Sequence, residues 1–211
     1  MKKTLLILPL LFLSVVTADS PITSTDFYEA YLHILEIEEA HEIGVLSEGM
    51  AQFLLDSENS LDKKAAVINA LSWGFDGKIN AFLFKRYLNA KYQVNDDIDS
   101  LVKVMNDEEL FCLGYITVMD NYFDPEKSLI YFESASSSIR ESYTFQIINA
   151  LIKTQSLIKD QDKWCRIWIT VNAVETNKEL KVDMNTGGRK LILDYIKIYK
   201  DNCETEGVIK I

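Results

Sequence analysis

Two histidines supply all the imidazole in this chain. His33 and His41 stand eight residues apart, about two turns if one helix carries both, and would then share a face with Glu29, Glu36 and, less well, Glu38. Glu38-Glu39-Ala40-His41 reads E-x-x-H, a spacing that sets a carboxylate and an imidazole on one helical face. A di-iron bundle needs that motif twice, plus two further glutamates on other helices, and only this copy exists. His41-Glu42 is followed by Ile43-Gly44-Val45 and no second histidine, so the H-E-x-x-H zinc pattern fails. A solvated acidic face is the expected role of Glu36, Glu38, Glu39 and Glu42. No metal and no cofactor is expected; were a metal bound, His33, Glu38 and His41 would be the ligands to test.

Nucleophilic chemistry finds little support. Gly44-Val45-Leu46-Ser47-Glu48-Gly49 is the nearest approach to a G-x-S-x-G elbow, with one residue too many before the serine and no strand ahead of it. Ser47 is expected to cap a helix instead. Glu42 and Glu48 flank this glycine turn and are the first carboxylates to consider for glycoside hydrolysis, which is the enzymatic rival reading. Asn185-Thr186-Gly187-Gly188-Arg189-Lys190 could hold an anion at a helix start. It lacks the P-loop pattern, and a plain connection is the expectation.

Binding has more material. Asp96, Asp97 and Asp99, followed by Asp107, Glu108 and Glu109, form the densest acidic stretch. Tyr122, Trp164 and Trp168 are the aromatics proposed to join it in a hot-spot surface for a basic protein partner. Nucleic acid is excluded on charge, with 22 Lys and Arg against 32 Asp and Glu.

These residues must be carried by some scaffold, and the 211-residue chain suits one core. Only 8 Gly and 3 Pro disfavour a turn-rich β fold. Residues 1–18 read as a signal peptide: Lys2 and Lys3, an apolar run from Leu5 to Val16, then Val16 and Ala18 at the −3 and −1 positions of a cut before Asp19. The remainder, 19–211, is expected to be one helical domain in the periplasm or secreted, without membrane insertion. Cleavage removes two lysines and no acid, taking the net charge from −10 to −12. Of the three cysteines, Cys112 sits in an apolar run, while Cys165 and Cys203 are the pair expected to bridge; three reduced thiols is the alternative.

Apolar periodicity predicts ten helices in the body. The first spans roughly 26–42, capped by Asp26, with Phe27, Tyr31, Ile34 and Leu35 on one side. Others follow Ser47 and Ser60, begin at Asp76 (Ile79, Phe82, Leu83 and Tyr87 inward), follow Asn95, and open at Asp107 and after Asp124-Pro125. The last three cover roughly 143–158, 161–177 and 189–201. In the ninth, Ile167, Ile169 and Val171 alternate in a strand-like way. Ile68-Asn69-Ala70-Leu71 recurs as Ile148-Asn149-Ala150-Leu151, an interval that two repeats of about 40 residues would produce.

One segment, about residues 110–138, resembles the tetratricopeptide class and its Sel1-like branch. It contains Leu113-Gly114-Tyr115, then Asp124-Pro125-Glu126-Lys127-Ser128, then Tyr131-Phe132 and Ala135. Ser128 stands where the family has alanine, and the family's turn glycine is missing. The resemblance implies close approach of two helices at Gly114 and a scaffold that binds another protein. The expected architecture is therefore all-α: antiparallel hairpins stacked as a short α-solenoid, or an irregular helical bundle. The expected function is a non-catalytic exported binder, such as an immunity or inhibitor protein or an envelope adaptor.

Overall fold

The computed structural model describes residues 20–72, 78–95 and 97–205. The expected signal peptide, Asp96 and the expected helix start at Asp76 lie outside them. The fold is all-α. In chain order the helices are α1 (Leu35–Ile43), α2 (Glu48–Leu55), α3 (Leu61–Ala70), α4 (Asn80–Tyr92), α5 (Ile98–Val104), α6 (Asp107–Asp120), α7 (Glu126–Ser134), α8 (Tyr143–Gln155), α9 (Trp164–Thr176), α10 (Thr186–Ile196) and α11 (Asn202–Thr205). Short 3-10 turns join several of them. The one β-type pairing among the described residues is an isolated bridge between Ser142 and Lys181.

The helix α6 organises the rest. From Glu109 to Ile116, and again at Val118 and Met119, every residue is buried, the signature of a helix surrounded by protein. It packs against α2, α3, α4, α7 and α8. The 3-10 turn Phe27–Tyr31 meets α10, so early and late parts of the chain also touch. A solenoid unit contacts only its neighbours; this packing is that of an irregular bundle. Phe111, Phe132 and Phe145 join α6, α7 and α8 through ring centroids 5.1–6.0 Å apart. Gly114 permits the α6–α7 contact, because a Cβ there would lie 2.8 Å from the Phe132 ring. Ser128 is fully buried and donates its hydroxyl to the Pro125 carbonyl at 2.6 Å, so it brings no unsatisfied polar atom into that interface.

Two helical faces differ from the expectation. The predicted helix over 26–42 is broken: a 3-10 turn covers Phe27–Tyr31, and α1 starts only at Leu35. Asp26 makes no cap bond. The Tyr28 N–H instead donates to Asn69 Oδ1, and the Tyr31 hydroxyl donates to Asp62 Oδ2 at 2.8 Å. Those anchors turn the chain, so the buried stripe passes from Phe27 and Tyr31 to Ile37 and Ala40, leaving Leu35 70% exposed. In α4 the inward residues are Phe84 and Leu88, whereas Ile79 and Phe82 are about half exposed. The rotation of α4 is fixed by polar contacts at its start. Asn80 accepts from the Leu46 N–H and donates to the Gly44 carbonyl, and Asp120 Oδ2 accepts from the Ala81 N–H at 2.8 Å. The ninth segment is helical: Ile167 and Val171 are buried and Ile169 faces out.

Cys165 and Cys203 form a disulfide with Cα atoms 4.7 Å apart, tying α11 to α9, and Cys112 is a buried free thiol. Burial pushes the Cys112 thiol up to about 12, so it stays protonated and inert.

Enlarging Gly114 to Val should destabilise by about 1–3 kcal/mol through overpacking, and pairing it with Phe132→Leu should recover part of the loss in a denaturant melt. At the second junction, Asp120→Ala should cost about 0.5–2 kcal/mol, the usual value of a helix cap, whereas Asp120→Asn keeps an acceptor for Ala81. Burial raises the Asp120 carboxyl above its ordinary value of 3.8. Its contribution is therefore complete below pH 3.8 and is lost as pH rises through the folded-state value. The stability of Asp120→Asn relative to the parent chain should accordingly improve between pH 4 and pH 7 in parallel thermal melts.

Candidate partner-binding groove

Because α5 is only seven residues long and buries Leu101 alone, it cannot cover the flank of α6 left open between α4 and α7. A groove of about 630 Å³ results. Its apolar walls come from Ile98 and Val102 of α5 and from Ile130 and Tyr131 of α7, over Thr117 of α6. The Thr117 hydroxyl donates to the Leu113 carbonyl at 2.7 Å, so the floor offers no free donor. A smaller cavity of about 220 Å³ continues along α4 and α5, sharing Lys85 and Ile98 and adding Phe82 and Leu101. Exposure of the apolar side chains here is high: Ile130 59%, Phe82 52% and Ile98 37%. Scattered single apolar residues are ordinary on a surface; a contiguous set marks an interaction site.

The rim is basic in an acidic protein. Lys85, Lys103 and Lys127 border the groove, with Asp99 as the one acid among its described lining residues. Lys127 pairs with Asp124 at 2.8 Å, and that bond raises its pKa. Among the described residues Lys85 and Lys103 make no ion pair, which leaves both ammonium groups able to meet a ligand.

Of the described acids in the stretch singled out in the sequence, Asp97, Asp107, Glu108 and Glu109 are engaged by partners within the chain, and only Glu109 is buried. Glu109 is 1% exposed. It closes a capping box with Asn106, accepts from Lys91 Nζ at 2.7 Å and accepts from the Tyr92 hydroxyl at 2.7 Å. Those contacts push the Tyr92 phenol up to about 12, first through burial and then through the Glu109 bond. Glu108 neutralises Lys64, whose side chain is almost wholly buried. Asp107 accepts from the backbone N–H and the hydroxyl of Ser136. Asp97 caps α5, and the Ser100 hydroxyl bonded to it is the main reason its carboxyl lies below the usual range. Asp99 lines the groove and Asp97 its smaller continuation.

The expected aromatics are not gathered with these acids. Trp164 donates its indole N–H to the Ile158 carbonyl and meets the Tyr199 ring edge-on. Trp168 lies under Lys200, whose Nζ is 5.6 Å from the ring centroid. Both therefore hold the C-terminal segment against α9. Tyr122 stacks on Phe123 with centroids 4.3 Å apart, between α6 and α7.

The metal candidates do not converge either. His33 falls in the break before α1, so it cannot share a helical face with His41, and Glu38 is exposed. His41 stacks on Tyr28 at 4.9 Å. No group of three or more His, Cys, Asp or Glu among the described residues is placed to hold a metal. Glu42 and Glu48 are both exposed on either side of the Gly44 turn. At the start of α10, Asn185 caps Gly187, Gly188 admits the Tyr31 ring, and Arg189 pairs with Glu175 at 2.8 Å. That loop is a packing joint rather than an anion cradle.

Compared with protein families, curated proteins and solved structures, the chain matches none. Substitutions should separate the structural acids from the groove cations. Glu109→Ala should cost about 1–3 kcal/mol, because it removes the buried acceptor shared by Lys91, Tyr92 and the Asn106 N–H. Lys85→Ala and Lys103→Ala should stay within about 0.5 kcal/mol of the parent chain, the range of ordinary surface changes. Urea midpoints measured side by side decide this.

Proposed function

We propose that this protein is an exported, non-catalytic binder that captures another protein through the lysine-rimmed groove between α4, α5 and α7. The carrying observation is that exposed apolar side chains and two lysines, Lys85 and Lys103, that make no ion pair within 4 Å among the described residues coincide on one face. The occupant that answers this chemistry is an amphipathic segment of a partner, apolar on one side and flanked by carboxylates, laid in the groove as a helix or a strand. The strong negative charge elsewhere would speed encounter with a partner that is basic overall, while the groove selects an acidic-apolar segment within it.

Export supports the finer reading. The Cys165–Cys203 bridge suits an oxidising compartment, as the N-terminal signal pattern does. Among the described residues no helix is long and apolar enough to cross a membrane. An inhibitor or immunity protein that masks a neighbour's toxin or hydrolase is the role proposed here. An envelope adaptor, as the tetratricopeptide resemblance implies, would use the same groove.

The test uses the mature chain from Asp19 as bait in envelope extract, beside Ile130→Asp and the double reversal Lys85→Glu with Lys103→Glu. All three positions are exposed or half-buried, so the variants should fold normally by circular dichroism. One protein retained at fixed stoichiometry by the parent, and reduced at least tenfold by either variant, is the expected result. Equal retention by all three baits removes the groove from the function. Self-association through the groove, or retention of lipid alone, points to a dimer or a carrier and overturns the proposal.

A further inference from the structure

We infer that a second, polar cavity on another side of α6 is a binding site for a neutral carbohydrate. It measures about 600 Å³ and lies between the segment before α1, the end of α1, the end of α3 and α10. That volume falls within the ~300–1,000 Å³ of small-molecule sites. Asp26, Tyr28, His41, Asn69, Ser72 and Tyr195 carry its chemistry, over an apolar base formed by Ala70 and Met119.

The lining selects the ligand class. Hydroxyl, amide, carboxylate and imidazole groups together donate and accept hydrogen bonds in every direction, which matches a ring bearing several hydroxyls. Tyr28 and Tyr195 add amphipathic aromatic surface, suited to the C–H face of such a ring. Among the described residues no Lys or Arg lines the cavity, so a phosphate or carboxylate finds no cationic partner among them. Asp26 is the one carboxylate among the described lining residues, and Glu29 and His41 act on it electrostatically in opposite directions.

The site is also held in shape before any ligand arrives. Asn69 is 3% exposed. Its Oδ1 accepts from the Tyr28 N–H at 3.1 Å and its Nδ2 donates to the buried Tyr115 hydroxyl at 3.2 Å. His41 is stacked on Tyr28 with planes 28° apart. Ser72 has a φ of 63°, the left-handed region, which costs a non-glycine residue of order 1 kcal/mol or more. Its N–H donates to the Asn69 carbonyl at 3.1 Å. Strained residues of this kind concentrate at ligand sites.

The experiment is an amide NMR titration of the mature chain with maltose and with chitobiose, alongside choline chloride and sodium phosphate. At least one disaccharide should shift the Tyr28, His41 and Ser72 resonances saturably. Asp26→Asn and His41→Ala, both at exposed positions, should each weaken that binding tenfold or more while leaving circular dichroism unchanged. Ile130→Asp should leave it intact, which separates this site from the protein-binding groove. Silence from both disaccharides at about 20 mM, well above the dissociation constant of a weak millimolar site, overturns the inference. Saturable binding of choline or phosphate in their place does so too, as do saccharide shifts indifferent to both variants.

Discussion

Burying one helix on all sides constrains everything around it. Amphipathicity cannot orient α6, since nearly its whole circumference is apolar and enclosed. Its position must come from its ends and from shape. At the N-terminus the Asn106–Glu109 box satisfies the first turn, and Lys91 and Tyr92 bind the same carboxylate from α4. Near the C-terminus Asp120 caps the start of α4. Both ends of α6 are thus tied to one neighbour, and α4 cannot roll without breaking a buried polar contact. Gly114 and the three phenylalanines then set how closely α7 and α8 approach.

This arrangement explains why charge misleads at the level of sequence. The acids Asp107, Glu108 and Glu109 look like a surface cluster because they are consecutive. Consecutive residues at a helix start point in different directions, and here each finds a separate partner: Ser136, Lys64 and the Lys91–Tyr92 pair. A buried carboxylate is tolerable only when it is paired, so the Lys91 and Tyr92 contacts are the condition of burying Glu109. Lys85, Lys103 and Lys127 are spread over three helices and look unremarkable in the chain, yet the fold assembles them around one groove.

The legible parts of the sequence were those governed by local rules. The cap at Ser47, the all-α class and the run of helices after Ser47 depend on neighbours a few residues away. Legibility failed where distant polar groups overrode periodicity. Leu35 lost its place in the core because Asn69 and Asp62 hold the preceding turn through Tyr28 and Tyr31. Ile79 and Phe82 lost theirs because Asn80 and Asp120 fix the rotation of α4. The candidate sites follow the same logic. Phe82 and Ile130 are seen to be exposed only once Phe84 and Phe132 are known to face inward.

The two candidate sites are separated by the helix that shaped them. Thr117 contributes to the apolar groove and Met119 to the polar cavity. Residues two apart on an α-helix project about 200° from one another, so the sites look out from nearly opposite flanks of α6. A helix locked at both ends, packed on five neighbours, has little freedom to shift in response to either ligand. Coupling between distant sites requires an element with two accessible arrangements, and α6 is the least suited part of the molecule to provide one. The physical expectation is two independent binding surfaces, one apolar with a cationic rim and one polar and near neutral, carried by a common rigid support.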